Sequence, residues 1–440
     1  MKLIKVIAVI IFTFIVGINV SYGANVAELM ETQAIKWHSN TIDLGPLKKF
    51  YKSRRGKGIW TDDEGLNDRG KELIELIGKA REDGLVVSDY IRKFPKKLNT
   101  DELPSAELYL SQAFWRFGRD LYAGRTTPSV SAPDIVISRK KYDLSGWLSK
   151  AGRRGPGVVV DELRPPHQQY AELRKKLAKT KNRRKSKKII VNMERWRWLP
   201  RKMGKRHVLV NQASYEMFIR TNEKIEDRRR VVVGKPRHKT PMFSHAITYA
   251  EFNPTWTVSR SIAGEEFLPK LRRNRRYLEK RDYKIYASWE EDAEELDVKK
   301  VNWSKVSSKD FPYRIVQSPG KKNALGKVKF MFPNRFKIYL HDTPSKRLFK
   351  NSRRAYSHGC IRIQKPLEFA TKLFKSQRLS KSKIDKILKK EGTTKVKMRR
   401  SVPIHLTYFT LWVDEDGKLK SYRDLYKRDS LVGKILFGGA

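Results

Sequence analysis

The sequence of 440 residues contains a single cysteine, Cys360. One thiol excludes an intramolecular disulfide framework, and it excludes the structural zinc sites that depend on paired cysteines. A lone thiol is either an inert buried side chain or a reactive group, and its neighbours in the sequence must decide between the two.

Acidic residues are scarce as well, because 47 Asp and Glu stand against 96 Lys and Arg, a formal net charge of +49. Such a charge attracts polyanions and keeps a protein soluble through self-repulsion. Nucleic acid, anionic lipid head groups, acidic envelope polymers and peptidoglycan carboxylates would all respond to it, so the charge alone leaves the partner open.

Long apolar runs are missing beyond the N-terminus, so no second membrane span is expected. The first run covers residues 6–16, after Lys2 and Lys5 and before the small residues at 21–24. This order is typical of a secretory signal over residues 1–23, cleaved after Gly23, with an uncleaved membrane anchor as the alternative. In both cases the bulk of the chain is exported, and nucleic acid is not an expected partner.

The first half shows helical periodicity. Asn67 is a suitable cap for a helix that stops near Gly84 and carries Leu73, Ile74, Leu76, Ile77 and Ala80. A second helix begins near Pro104, ends at Gly124 and aligns Leu110, Ala113, Phe114, Phe117 and Leu121. Both stripes are typical of ordinary core, and they predict a helical scaffold over residues 24–188.

Residues 174–188 contain ten basic residues and no acid. The run predicts an exposed linker or helix end at the boundary between the halves. A solvated face without a role is the commoner explanation of such a run, and a dedicated anion-binding site is the alternative.

The second half alternates as strands do, at residues 207–210, 215–219, 231–234 and 336–340. This pattern predicts a β-rich domain over residues 189–440 and an α+β fold for the whole chain. Residues 256–312 differ in composition and predict a partly helical insertion, which near a functional site often acts as a lid.

His341 and Cys360 supply what a thiol acyltransferase needs, since a nearby histidine can take the proton of the thiol and return one to a leaving amine. His341 closes the last predicted strand, and Cys360 opens a turn toward a helix marked by Pro366. The amides of Gly359 and Cys360 are candidate oxyanion donors, and Arg362 is a candidate ligand for a substrate carboxylate. A Cys/His metal site and an inert buried cysteine remain the alternatives.

The segment from His341 and Asp342, through fourteen residues, to Ser357-His358-Gly359-Cys360 resembles the signature of L,D-transpeptidases with a YkuD-type catalytic domain. Stretches 192–201, 231–244, 253–263 and 323–345 are similar to the large Gram-negative, YcbB-type branch, so the resemblance covers most of the mature chain. It implies a helical scaffold followed by a β-rich YkuD-type domain, with residues 256–312 as a substrate-capping lid.

The resemblance also implies roles for individual residues. Cys360 corresponds to the nucleophile and His341 to the proton acceptor and donor. The acyl pocket and oxyanion hole would be shaped by Tyr339, Ser357, His358 and Gly359. Arg362 would bind substrate, and neither a cofactor nor a metal is expected.

The implied function is a periplasmic peptidoglycan L,D-transpeptidase that acts on tetrapeptide stems and forms 3–3 cross-links between meso-diaminopimelate residues, in cell-wall biogenesis and cell shape. The alternatives are an L,D-carboxypeptidase and a non-catalytic polyanion-binding envelope protein. The branch usually carries a peptidoglycan-binding module where this chain has only residues 178–191, too few for an independent domain. Wall attachment would then come from the catalytic groove, the helical scaffold, a partner or the basic surface, and the basic surface is expected to supply part of it.

Overall fold

The computed structural model describes residues 18–19, 25–138 and 140–438. The signal expected at residues 1–23 lies outside the described residues, apart from Ile18 and Asn19. Among the helices in the described ranges, none is both long enough and apolar enough to cross a membrane. The chain forms two compact units.

The first unit comprises Met1–Arg125, Arg139–Pro166 and Tyr170–Arg197 and is mainly helical. Its strands are β1 (Ile18–Asn19), β2 (Ala34–Trp37), β3 (Asn40–Asp43), β4 (Thr61–Asp62) and β5 (Gly65–Leu66). The helices up to the end of this unit, in chain order, are α1 (Val26–Leu29), α2 (Lys48–Ser53), α3 (Asp68–Gly78), α4 (Leu103–Ala123), α5 (Pro128–Ser131), α6 (Leu144–Arg154), α7 (Pro156–Leu163), α8 (Gln168–Ala178) and α9 (Arg183–Trp198). Of these, α5 belongs to the second unit.

The two predicted helices of this unit are confirmed. The side chain of Asn67 accepts a hydrogen bond from the Gly70 amide at the start of α3. α3 ends at Gly78, earlier than expected, because a tighter 3-10 turn follows and ends at Gly84, whose φ of +70° suits glycine. Along α4 the predicted stripe is buried, from Leu110 to Leu121.

Glu107, in the middle of α4, is buried among backbone donors. Its carboxylate accepts hydrogen bonds from the amides of Ile59 at 2.8 Å, Trp60 at 2.8 Å and Thr61 at 3.0 Å, and from the Tyr51 hydroxyl at 2.5 Å. Burial nevertheless raises the pKa of Glu107 above its ordinary value. Glu107 therefore fixes the course of the chain at residues 59–61, where β4 begins.

The second unit comprises Thr126–Ser138, His167–Gln169 and Trp198–Ala440. Its strands are β6 (Arg206–Asn211), β7 (Glu216–Thr221), β8 (Lys224–Gly234), β9 (Phe243–Phe252), β10 (Trp256–Thr257), β11 (Tyr283–Tyr286), β12 (Arg314–Gln317), β13 (Val328–Met331), β14 (Leu340–His341), β15 (Ala355–Ser357), β16 (Ile361–Ile363), β17 (Thr394–Thr407), β18 (Leu411–Val413) and β19 (Leu419–Ser421). Its further helices are α10 (Arg260–Ile262), α11 (Leu268–Arg273), α12 (Pro366–Leu373), α13 (Lys381–Leu388) and α14 (Arg428–Phe437).

Nine of these strands form one sheet in the order β15-β8-β16-β14-β13-β9-β17-β6-β7. The long strand β8 also pairs with β7 through its first half, so the sheet returns onto itself. A helical unit and a strand-rich unit together confirm the expected α+β fold.

The insertion at residues 256–312 contains α10, α11, β10 and β11, and it pairs with β12. A separate apolar cluster stabilises it, with Phe267, Leu271, Trp303 and Phe311 buried at its centre. The boundary predicted between residues 188 and 189 falls inside α9, and the first compact unit ends at Arg197. Only residues 179–182 separate α8 from α9.

Replacing Glu107 should destabilise the first unit. We expect Glu107→Ala to lower the free energy of unfolding by about 3–5 kcal/mol, because three buried amides lose their acceptor. Hydrogen exchange of the amides at residues 59–61 should become fast in the same variant. Arg116→Ala, on the exposed face of the same helix, serves as the control and should change stability by less than about 0.5 kcal/mol. Unchanged protection of residues 59–61 in Glu107→Ala would contradict the assignment.

Candidate active site

β14 and β16 are neighbouring parallel strands, with Leu340 opposite Ile361 and His341 opposite Arg362. Successive side chains on a strand point to opposite faces of a sheet. Leu340 and Ile361 are fully buried on one face. The backbone register therefore brings His341 and Arg362 to the other face, with Tyr339 and Cys360 just before the two strands on that same side.

The strand before His341 is shorter than predicted. Residues 336–339 are not in a strand, because the Asn334 side chain accepts hydrogen bonds from the amides of Phe336 and Ile338 and holds a turn. Lys337 in this turn has a φ of +54°. The expectation that Cys360 opens directly toward a helix was also wrong, since β16 lies between Cys360 and α12.

His341 lies in a row of charged residues that crosses the sheet. Glu251, Lys329, His341 and Arg362 are register partners on β9, β13, β14 and β16, and Lys329 pairs with Glu251 at 2.7 Å. Burial, with the positive charges of Arg362 and Lys329, lowers the pKa of His341 to about 3. The imidazole is therefore neutral at neutral pH.

A backbone carbonyl group fixes the orientation of the His341 imidazole. Nδ1 of His341 lies 2.5 Å from the carbonyl oxygen of Asp342. Since a carbonyl only accepts, Nδ1 of the neutral ring carries the hydrogen and donates it. The lone pair is then on Nε2, which makes this nitrogen the candidate proton acceptor.

The Cys360 thiol is held in its protonated form. Burial raises its pKa to about 11, against the opposing effects of hydrogen bonds from the Tyr339 amide and hydroxyl and of the charge on Arg362. The sulfur lies 3.8 Å from the carbonyl oxygen of Lys337, to which the thiol donates. At neutral pH the thiol and the imidazole are therefore both uncharged.

Ser357, His358 and Gly359 form the loop that leads to Cys360. The Ser357 hydroxyl donates to the Cys360 carbonyl at 2.5 Å and accepts from the Gly359 amide at 3.2 Å. The Gly359 amide is thereby engaged, contrary to its expected role as an oxyanion donor. The Cys360 amide has no hydrogen-bond partner among the described residues and remains a candidate. Gly359 has a φ of +112°, which favours glycine.

A second layer supports this loop, and the sequence analysis missed it. Thr240 donates from its hydroxyl to the Gly359 carbonyl at 2.8 Å and accepts from the Gly234 amide at 2.9 Å. Tyr426 donates to the Gly234 carbonyl at 2.6 Å. A Cβ on Gly234 would lie 2.0 Å from the His238 carbonyl oxygen, so only glycine fits there. No spacing in the sequence links Tyr426 to a loop about 70 residues earlier.

The insertion contacts the loop before Cys360, and the segment that contains Lys235 and His238, through two carboxylates that the sequence analysis also missed. Glu266 lies 2.9 Å from Nε2 of His358 and 3.3 Å from the amine of Lys235. Glu265 lies 3.3 Å from Nε2 of His238. Burial pushes the pKa of Glu266 upward, but His358 and Lys235 outweigh it and lower that pKa. Both acids belong to one π-helical turn, Ala263–Phe267.

Three of these residues have the side chains of a metal site. Ligand atoms of His238, Glu265 and His358 all lie within 4.8 Å of one another. Nε2 of His238 and the Glu265 carboxylate are 3.3 Å apart, so the three side chains are close enough together to hold one metal ion. The same side chains attach the insertion to the segments around His238 and His358, and no step of the chemistry is derived through a metal.

All seven predicted site residues thus lie on or next to three short strands: Tyr339 and His341 at β14, Ser357 at the end of β15, Arg362 in β16, and His358, Gly359 and Cys360 in the loop between β15 and β16. Tyr339 and His341 are in ring contact, with centroids 5.6 Å apart. Burial raises the pKa of Tyr339 well above its ordinary range, and the nearby sulfur of Cys360 adds to this effect. The Tyr339 hydroxyl is therefore a permanent donor beside the thiol. The arrangement can transfer a proton from sulfur to imidazole and form an acyl-thioester.

Two family models match the chain. A scaffold domain matches residues 45–177, and an L,D-transpeptidase catalytic domain of the YkuD type matches residues 205–395. The second match contains all seven predicted site residues, whereas Tyr426 lies beyond its end.

Known relatives agree with these models. The Haemophilus influenzae protein named "Putative L,D-transpeptidase" is 30% identical over 406 residues, 88% of this chain and 78% of its own length. An L,D-transpeptidase structure from Mycobacterium smegmatis is 12% identical, covering 46% of this chain and 58% of its own, with a TM-score of 0.23. The Ldtfm–avibactam carbamoyl enzyme is 13% identical over 46% and 49%, with a TM-score of 0.22. On the sequence relationship to the first of these proteins, the chain belongs to the L,D-transpeptidase family, with a scaffold domain and a YkuD catalytic domain.

Proposed function

We propose that this enzyme cross-links peptidoglycan in the periplasm through an acyl-thioester on Cys360. The donor is a tetrapeptide stem, and the bond attacked joins the L-centre of meso-diaminopimelate to the terminal D-alanine. The acceptor is the side-chain amine of a diaminopimelate on a neighbouring stem, so the product is a 3–3 cross-link. The observation that carries the proposal is a neutral thiol and a neutral, fixed imidazole that the register of two adjacent strands brings to one face of the sheet.

The protonated thiol of Cys360 and the unprotonated Nε2 of His341 in the resting enzyme support a concerted activation. The thiol hydrogen moves to Nε2 of His341 as sulfur attacks the carbonyl carbon, and the carbonyl oxygen gains the negative charge. The same proton then passes to the departing amine of D-alanine. In the second half, the acceptor amine gives its proton to His341 as it attacks the thioester, and the sulfur takes that proton back as it leaves.

Four groups favour the transition state over the resting state. The Cys360 amide and the Tyr339 hydroxyl are donors near the sulfur, where the oxyanion forms. Arg362 and Lys329 disfavour the imidazolium, but they stabilise the negative charge that develops on substrate. Because burial strengthens each of these interactions, exclusion of water by the bound stem is part of the activation.

Removing either reacting group tests the assignment. We expect Cys360→Ala to abolish cross-linking and D-alanine release, and His341→Ala to lower turnover by about 10²–10⁴-fold. Muropeptide analysis after incubation with purified tetrapeptide measures both. Lys365→Ala, exposed beyond the end of β16, is the control and should retain activity. Dimeric muropeptides from the Cys360→Ala variant would contradict the assignment of Cys360 as the nucleophile.

The same experiment separates transfer from hydrolysis. A transpeptidase converts tetrapeptides into dimers, whereas an L,D-carboxypeptidase yields only tripeptides because water replaces the amine. A protein that binds polyanions without chemistry yields neither product and forms no adduct at Cys360 by intact mass. Tripeptides as the sole product would replace the transpeptidase proposal with the carboxypeptidase.

The raised thiol pKa predicts how alkylation depends on pH. With a pKa of about 11, the thiolate fraction and the rate with iodoacetamide should rise about tenfold per pH unit between pH 7 and 10. His341→Ala should follow the same slope, because no thiolate–imidazolium pair exists to lose. Urea-unfolded chain, with a thiol pKa near 8.5, should react faster than folded chain at pH 8. A rate plateau below pH 8 that disappears in His341→Ala would indicate a preformed ion pair.

The basic run predicts salt-sensitive wall binding. Arg183, Arg184 and Lys185 are exposed at the start of α9, whereas Arg174 is tied to Glu82 and Asp83. Binding to isolated sacculi should fall between 0.1 M and 1 M salt, since the Debye length shortens from roughly 10 Å to about 3 Å. Changing the three exposed residues to Gln should weaken pelleting at low salt and leave turnover of soluble tetrapeptides unchanged.

A matched triple change of Lys381, Lys383 and Lys386 to Gln on α13 removes the same charge from another exposed surface. Equal losses in both triple variants would assign wall binding to net charge. Normal pelleting by the α9 variant at low salt would contradict the role of this run.

A further inference from the structure

A cavity of about 620 Å³ lies between the insertion and the strand ends that carry the reacting residues. Tyr277, Arg281 and Tyr283 of the insertion form one side. The other side is formed by Gln317, Lys321, Lys322, Ala324, Thr343, Pro344, Ser345 and Arg362. The volume is in the range of sites for small ligands or peptide segments. Arg362 is the register partner of His341, so the cavity adjoins the reacting centre.

The lining has one sign of charge. Four of the eleven lining residues are cationic and none is acidic. Around a concave surface such a set concentrates the field and favours an anionic ligand. The insertion contributes its share through Arg281, whose guanidinium lies 4.5 Å from the centre of the Tyr277 ring and is oriented by it.

The charge of Arg362 in this cavity is not neutralised by an ion pair among the described residues. Its Nε is buried and has no hydrogen-bond partner, and no carboxylate of the described residues lies within ion-pair distance of its guanidinium. Glu266 acts on it only at longer range, and burial lowers the pKa of the Arg362 side chain. A buried donor without an acceptor is costly unless a ligand supplies one.

We infer that this cavity is a carboxylate subsite, in which Arg362, Arg281 and Lys321 select stem peptides by their free carboxylates. The inference rests on the proposed function and adds the selectivity of its substrate. A guanidinium binds a carboxylate through two parallel hydrogen bonds, a geometry that an uncharged amide reproduces poorly. The rings of Tyr277 and Tyr283 supply apolar contact for the carbon atoms between the charged groups. A stem with amidated carboxylates is therefore a poor substrate for this enzyme.

The test compares substrates and variants in the full-length enzyme. Tetrapeptide donors are prepared with free carboxylates or with the same carboxylates amidated, and D-alanine release gives KM and kcat. We expect the double variant Arg281→Gln/Lys321→Gln to raise KM for the free donor about tenfold, with kcat within about twofold. KM for the amidated donor should not change.

The matched control removes two charges from the same insertion outside the cavity. Arg273 and Lys309 are exposed there, and Arg273→Gln/Lys309→Gln should leave both KM values as they are. Equal effects of the two double variants would reduce the inference to general attraction by net charge and overturn it.

The carboxylates can belong to the donor stem or to the acceptor stem, and a second arm distinguishes these sources. Transfer from one donor is measured to an amine that carries a neighbouring carboxylate and to the same amine with that group amidated. If the acceptor occupies the cavity, the double variant loses about tenfold in transfer to the free acceptor, while donor KM is unchanged. Two ratios compare free with amidated substrates: that of the donor KM values and that of the rates of transfer to the acceptor. If the double variant leaves both ratios unchanged, the subsite is overturned.

If the proposed function itself is wrong, the acylation of Cys360 shows a different pattern from the one expected when only the subsite is wrong. p-Nitrophenyl acetate is small and uncharged, and its acylation of Cys360 reports the nucleophile without the cavity. Acylation by this ester together with no acyl-enzyme from any stem peptide would refute the transpeptidase proposal itself. Acylation by both ester and stems, without a carboxylate preference, would refute only the subsite.

Discussion

Burial of His341 and partial burial of Cys360 are the constraint on which the rest of the catalytic unit depends. Burial moves the two pKa values in opposite directions, to about 11 for the thiol and about 3 for the imidazole. Both groups rest uncharged, so the site stores no buried ion pair and needs none of the partners that such a pair would require. In the proposed mechanism, the protein instead fixes the position of a proton donor and a proton acceptor, and the charge appears on substrate.

The surrounding charges follow from the same constraint. A chain with a net charge of +49 could not keep a cation-rich centre without local anions. Glu251 pairs with Lys329 on one side of the imidazole, and Glu266 lies beside Lys235 and His358 on the other. Each acid offsets positive charge at the rim while the cavity near Arg362 remains cationic. Acidic residues are few in this sequence, and these two lie where an excess of positive charge would otherwise be uncompensated.

The sequence predicted what local chemistry determines. Helix α4 followed from apolar spacing and α3 from the Asn67 cap, and the motif that contains His341 and Cys360 spans the neighbouring strands β14 and β16. The prediction of a strand at residues 336–340 was wrong for residues 336–339, because the Asn334 side chain accepts hydrogen bonds from two amides and holds a turn. Tyr426, Thr240 and Glu266 were missed because their roles arise from contacts between distant segments, which no periodicity encodes. The engagement of the Gly359 amide by Ser357 likewise depends on loop geometry alone.

The weak ionisation of the single thiol has a further consequence for its oxidation. Peroxide and disulfides react with thiolates rather than with thiols. A pKa of about 11 leaves about one Cys360 in 10⁴ ionised at neutral pH. The burial that raises the pKa of the thiol therefore also protects Cys360 from sulfenic acid formation and from mixed disulfides. The fold itself thus slows oxidation of a sulfur that has no second cysteine in the sequence to resolve a sulfenic acid.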